Sequence, residues 1–152
     1  MPKVDLEPIP PSNATGYPDP FHKEVEGRWW KRIAPLAGLT ELGASHVRLD
    51  PGAWSCQRHW HDGEDEMVIM LSGKATLVED DVETEVGAGD ILAWPKGSTN
   101  GHQLINRSDE PCTFVAISAG PRSGGGYSDI DMIFTDDSRF CRRDGTEYPK
   151  RG

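Results

Sequence analysis

The sequence predicts an all-β domain, a sandwich or barrel of many short strands, and three observations lead there. From Gly27 onward, β-like runs alternate with turn signals about every 8 to 12 residues. Seventeen Gly and twelve Pro, scattered without a period, interrupt any helical pattern. The 152 residues suffice for one core and leave no room for a second domain of ordinary size.

Taken in order, residues 1–26 form a Pro-rich arm, because Pro2, Pro8, Pro10, Pro11, Pro18 and Pro20 remove amide donors and hold the backbone extended. Leu6, Ile9, Tyr17 and Phe21 are apolar anchors by which the arm would lie across the domain or a partner subunit; otherwise it is disordered. Residues 27–120 carry the strands, expected at 29–33, 44–49, 55–61, 66–71, 74–78, 82–86, 91–94, 102–106 and 113–118. Glu79-Asp80-Asp81 reads as the turn of a hairpin, and Gly-Ala-Gly-Asp at 87–90 breaks the next strand. Residues 121–152 form a tail, opened by Ser123-Gly124-Gly125-Gly126, that folds back on the barrel or reaches a neighbouring subunit.

The charge balance, 25 acidic against 16 basic side chains for a net −9, repels nucleic acid and anionic membranes. There is no apolar run of transmembrane length and no signal-peptide pattern at the N-terminus, so the expected location is the cytoplasm. Cys56, Cys112 and Cys141 are odd in number and widely spaced, which reads as three reduced thiols rather than a disulfide framework or thiolate metal site.

The chemistry concentrates in the histidines. His59 and His61 are two apart on an expected strand, so their rings share one face and can converge on one ion, while Trp60 points away. Five residues later Glu66 opens the next strand, and a hairpin returning beside the His strand would bring its carboxylate to the same ion. Glu64 is its rival, as ligand or as a base beside the site; strand register favours Glu66. His102, after a second turn-rich stretch, would be brought opposite by barrel closure. Three imidazoles and one carboxylate suit a single divalent transition metal ion: Fe, Mn, Ni, Co or Zn. In six-coordination two positions stay open for water, dioxygen or a chelating substrate.

These residues lie in two patterns, Gly52-x6-His59-x-His61-x4-Glu66-x6-Gly73 and Gly89-x5-Pro95-x-Gly97-x4-His102-x3-Asn106, which resemble the two signature motifs of the cupin superfamily. One extra residue precedes His59 and two extra precede His102, both in loops. The resemblance implies a double-stranded antiparallel β-barrel of the jelly-roll kind, a metal inside one mouth, and a homodimer.

Strand alternation points Gln57, Val68, Met70 and Leu104 into the cavity beside the metal, with Trp94 at its rim, to bind a small, partly apolar substrate or ligand. By the same parity Cys56 faces away. Inward positions lack a clearly placed Arg or Lys, Arg48 and Arg107 being the candidates, which weakens sugar-phosphate chemistry. The expected function is a metal-dependent enzyme acting on a small oxygen-chelating metabolite. A dioxygenase is slightly preferred over an isomerase or lyase in which Glu64 or a water on the ion moves the proton. The alternative is a non-catalytic module that binds a carboxylate such as oxalate, or a sugar.

Overall fold

The computed structural model describes residues 3–151. Five strands, β1 (Arg28–Arg32), β2 (Leu42–Leu49), β4 (Asp65–Ser72), β7 (Ile91–Trp94) and β9 (Cys112–Ala119), form an antiparallel sheet in the order β1-β2-β9-β4-β7. Two smaller sheets complete the jelly-roll barrel. One is β6-β5-β8, from β5 (Lys74–Val78), β6 (Glu83–Gly87) and β8 (Gln103–Ile105). The other is β12-β11-β10-β3, from β3 (His59–His61), β10 (Gly125–Tyr127), β11 (Ile133–Phe134) and β12 (Phe140–Cys141). A single 3-10 turn at Lys23–Val25 precedes the strands, and no helix among the described residues is long and apolar enough to cross a membrane.

The period of two places the core. On β4, Val68 and Met70 are buried while Met67 between strand neighbours is 40% exposed. Val47, Leu49, Leu77, Leu104 and Phe114 join them across the sheets. Each large side chain so buried contributes about 1.5–3 kcal/mol. The hairpin turn forms as expected, with Glu79 N–H donating to the Val82 carbonyl at 3.0 Å and Val78 paired with Glu83.

Three local expectations change. Residues 55–58 are bends rather than strand, because their polar groups are spent elsewhere: Ser55 Oγ accepts from the Leu104 amide and the Gln57 amide donates to the Tyr17 hydroxyl. The strand expected at 102–106 shrinks to three residues. β3 and β4 do not pair as a hairpin; β3 lies in the sheet with β10, β4 in the five-stranded sheet, and the chain turns a corner between them.

The arm and the tail pack together over one end. Ser12 and Trp30 exchange both backbone hydrogen bonds, at 3.0 and 2.8 Å, which lays the arm along β1. Tyr17, Val25, Tyr127 and Met132 form a second buried cluster that joins arm and tail. The glycine run that opens the tail is a close-approach strand: a Cβ on Gly125 would sit 2.0 Å from the Trp60 carbonyl oxygen, and one on Gly126 2.4 Å from the Trp60 ring.

Candidate metal centre and its cavities

β3 presents His59 and His61 to the same side, as alternation requires. His102 joins them through the backbone: His59 and His102 form an isolated antiparallel bridge, each amide donating to the other's carbonyl at 3.2 and 2.9 Å. The lengthened loop before His102 is absorbed upstream of that bridge. Glu66, on β4, reaches the cluster from the facing sheet.

The three imidazoles turn their Nε2 atoms toward the Glu66 carboxylate, and His59, His61 and Glu66 form the tightest group. His59 Nε2 and His61 Nε2 are 3.1 Å apart, His61 Nε2 is 3.1 Å from Glu66 Oε1, and His102 Nε2 is 2.8 Å from Glu66 Oε2. Ligand atoms of His59, His61 and Glu66 all lie within 4.8 Å of one another. His59 Nδ1 lies 3.1 Å from the Gln57 carbonyl, which takes its proton there and leaves a lone pair on Nε2. Glu64 stands just outside, its Oε2 3.2 Å from His61 Nδ1.

This cluster is short of donors. Glu66 Oε2, His61 Nδ1 and His102 Nδ1 are buried without a properly directed hydrogen bond, although for the first two a partner lies within ion-pair distance. Burial opposes charge on His61, yet Glu64 and Glu66 outweigh it and push its pKa up to about 9. Burial would raise Glu66, but His102 and His61 hold it well below the usual carboxylate range. Burial lowers both His59 and His102 and keeps them neutral. Two imidazoles whose charged form burial disfavours, an ionised carboxylate and a third imidazole whose proton those carboxylates favour make a donor set that could hold a cation once His61 gives up that proton. A divalent transition metal fits it by charge, by donor chemistry and by the convergence of Nε2 atoms.

A cavity of about 370 Å³ inside the barrel opens on His59, Glu66 and His102. Val68, Leu104 and Trp94 line it. Gln57 does not: its amide donates to the Phe21 carbonyl at 3.0 Å and to Glu24 at 3.3 Å, so it anchors the arm instead. Met70 lies deeper, 1% exposed in the core cluster, and does not reach the cavity. Cys56 does line it, contrary to the parity expectation, because residues 55–58 are not strand. Burial pushes its thiol up to about 11, so the sulfur is neutral and a weak nucleophile.

Sequence reasoning also missed the cations of β1 and the tail residues that sit beside the histidines. Arg28 and Arg32 line the barrel cavity, and Arg32 and Arg122 line a second cavity at the mouth together with Glu64 and Glu66. The signal was legible: Arg28, Trp30 and Arg32 alternate with Trp29 and Lys31 along one strand. Arg48 and Arg107, the candidates from sequence, pair on the surface with Asp50 and Glu83. Tail residues Tyr127 and Phe134 pack against the ligand rings, Phe134 5.1 Å from His61 and Tyr127 5.8 Å from His59 between ring centroids.

Residues 45–118 match the family described as Cupin domain. Among solved structures, one described as a sugar phosphate isomerase from a cupin superfamily, from Silicibacter pomeroyi, is 36% identical; the match covers 97% of each chain with a TM-score of 0.91. The polyketide cyclase RemF from Streptomyces resistomycificus is 17% identical, with 86% of this chain and 87% of that one covered and a TM-score of 0.68. A Cupin 2 conserved barrel domain protein from Salinispora arenicola is 23% identical over 78% of this chain and 87% of that one, with a TM-score of 0.57. The last two are likenesses of fold alone. No curated protein matches the chain.

Proposed function

This chain belongs to the cupin family, and from that premise we propose that it is a metal-dependent isomerase of a small anionic metabolite with adjacent carbonyl and hydroxyl oxygens, of the sugar-phosphate type. The observation that carries this reading is the separate placing of two carboxylates: Glu66 lies within the donor cluster, and Glu64 lies beside it, 3.2 Å from His61 and lining the mouth cavity. A carboxylate beside the donor cluster but outside it is placed to serve as a general base for proton transfer.

In this proposal His59, His61, Glu66 and His102 hold one divalent ion, which when bound supplies Lewis acidity toward two substrate oxygens. Glu64 takes the proton from the carbon beside the carbonyl and returns it to the former carbonyl carbon, while the hydroxyl proton passes to the former carbonyl oxygen. His61 positions Glu64. Arg32 and Arg122 offset the negative charge of an entering substrate. Their presence removes the ground on which sugar-phosphate chemistry was weakened. The 36% identity to the protein from Silicibacter pomeroyi described as a sugar phosphate isomerase supports the same class. We also propose the homodimer that the family resemblance implies; Met67, Leu71 and Ile91 leave apolar surface exposed on β4 and its neighbour β7, and light scattering tests it.

The functional test uses protein loaded in turn with Mn, Fe, Co, Ni and Zn and incubated with aldose and ketose phosphates in D2O. Deuterium entering the carbon beside the carbonyl, followed by NMR without O2 uptake, is the expected result. O2 consumption coupled to turnover would restore the dioxygenase, and saturable binding without exchange would make the protein a carrier.

A further inference from the structure

We propose that Arg28 is the oxyanion anchor of the barrel cavity, holding a phosphate or carboxylate group of a ligand whose other end faces the histidine–glutamate cluster. The inference rests on the reading that the substrate occupies this cavity, and it specifies which residue recognises its charge and which way round it lies.

Arg28 begins β1 and shares its inward face with Trp30 and Arg32. One terminal nitrogen of its guanidinium, Nη1, donates to the Ser55 carbonyl at 2.8 Å, which pins the plane of the group. Its Nε–H is buried and has no acceptor, and no carboxylate among the described residues lies within ion-pair distance of the guanidinium. A half-buried cation without a counter-charge is less well solvated than an exposed one, and its buried, unmet N–H adds to that cost. Several other arginines are matched: Arg58 lies on Asp129 and Asp80, Arg107 on Glu83, and Arg139 on Asp137. Arg32 and Arg122 also line cavities without a carboxylate partner, but both are exposed to water, whereas Arg28 is half-buried with its Nε–H unmet.

The surroundings say what the counter-charge belongs to. Trp30, Val47, Val68, Leu104 and Phe114 make the walls apolar, and the metal-binding cluster closes the other side through His59, Glu66 and His102. A ligand held here meets two polar places separated by apolar surface. The free Nε and second terminal nitrogen of a guanidinium form a fork that matches two oxygens of one phosphate or carboxylate. Arg32, exposed at the mouth, then guides the anion in, and Arg28 retains it.

Trp30 and Trp94 line the same cavity, so tryptophan fluorescence reports its occupation. Inorganic phosphate is titrated into the metal-free protein, which tests the anchor without reference to catalysis. Saturable quenching is expected, weakened about 10-fold to 100-fold in Arg28→Gln and less in Arg28→Lys, which keeps the charge but loses the fork. In parallel, dihydroxyacetone phosphate and dihydroxyacetone are titrated into zinc-loaded protein by calorimetry. The wild type should prefer the phosphorylated ligand, and Arg28→Gln should erase the preference with zinc content and dihydroxyacetone affinity unchanged. Acetate in place of phosphate separates a carboxylate ligand from a phosphate one. Equal wild-type affinity for the two dihydroxyacetone ligands, or a preference that survives in Arg28→Gln and disappears in Arg32→Gln, would overturn the proposal. Anchoring that persists while deuterium exchange fails would sink the isomerase reading and leave the anchor standing.

Discussion

The indole of Trp94 lies flat on the imidazole of His102, ring centroids 3.8 Å apart and planes 6° from parallel. Its Nε1–H donates to Glu79 at 3.1 Å, so the hairpin turn between β5 and β6 steadies the indole, and the indole steadies His102. His102 Nδ1 has no hydrogen-bond partner of its own, so ring stacking restrains this imidazole beside its 2.8 Å contact with Glu66.

Trp94→Leu should therefore loosen His102 without removing it. Zinc affinity measured by chelator competition is expected to fall about 10-fold, the lower end of what lost support around a metal ligand costs. Circular dichroism should stay that of the wild type. Unchanged affinity would mean that the His59–His102 backbone bridge alone positions the ring.

The two carboxylates separate cleanly by experiment. Glu66→Gln should lose stoichiometric metal, because it removes the charge on which three Nε2 atoms converge. Glu64→Gln should keep the metal and lose proton exchange by about 100-fold to 10,000-fold. A larger loss of metal with Glu64→Gln than with Glu66→Gln would reverse the two assignments.

Gly125→Ala tests whether the tail belongs to the site. The new Cβ would meet the Trp60 carbonyl oxygen at 2.0 Å and the Phe134 ring at 2.4 Å, neither of which can move without parting β10 from β3 or β11. A loss of about 1–3 kcal/mol in chemical denaturation is expected, together with weaker metal binding as Phe134 leaves His61. Wild-type behaviour in both measurements would refute the close packing.

Cys56 should behave as a half-buried, neutral thiol in the wall of the cavity. Burial outweighs its contact with Ser55 and pushes its pKa up to about 11. The thiolate, which iodoacetamide requires, is then scarce at pH 8 and increases with pH until about 11. Peptide mapping after brief alkylation of the native protein should find Cys56 unmodified at pH 8 and modified at pH 10.5. Full modification at pH 8 would show the thiol to be exposed or activated.

Much of the donor set was legible because it follows from a strand's period. Two residues apart on β3, His59 and His61 must share a face, and the fold only had to keep that segment extended. Glu66 was reachable from register, although by the wrong route, since β4 approaches from another sheet rather than as the hairpin partner of β3. The same parity rule failed at Gln57 and Cys56, where side chains and the arm had taken over the backbone hydrogen bonds and there was no strand to alternate.

What the sequence determined by itself is local: an all-β chain, its turns, and the metal-ligating residue types at spacings that strands convert into one face. Tertiary structure alone decided what meets across the barrel. It bridged His102 to His59 over a gap of 43 residues, brought Glu66 from the opposite sheet, set Arg28 and Arg32 toward the cavity, and folded the glycine-opened tail onto the ligand rings. Spacing specifies direction along one strand, whereas the pairing of distant strands depends on the packing of the whole core, which no short stretch of sequence contains.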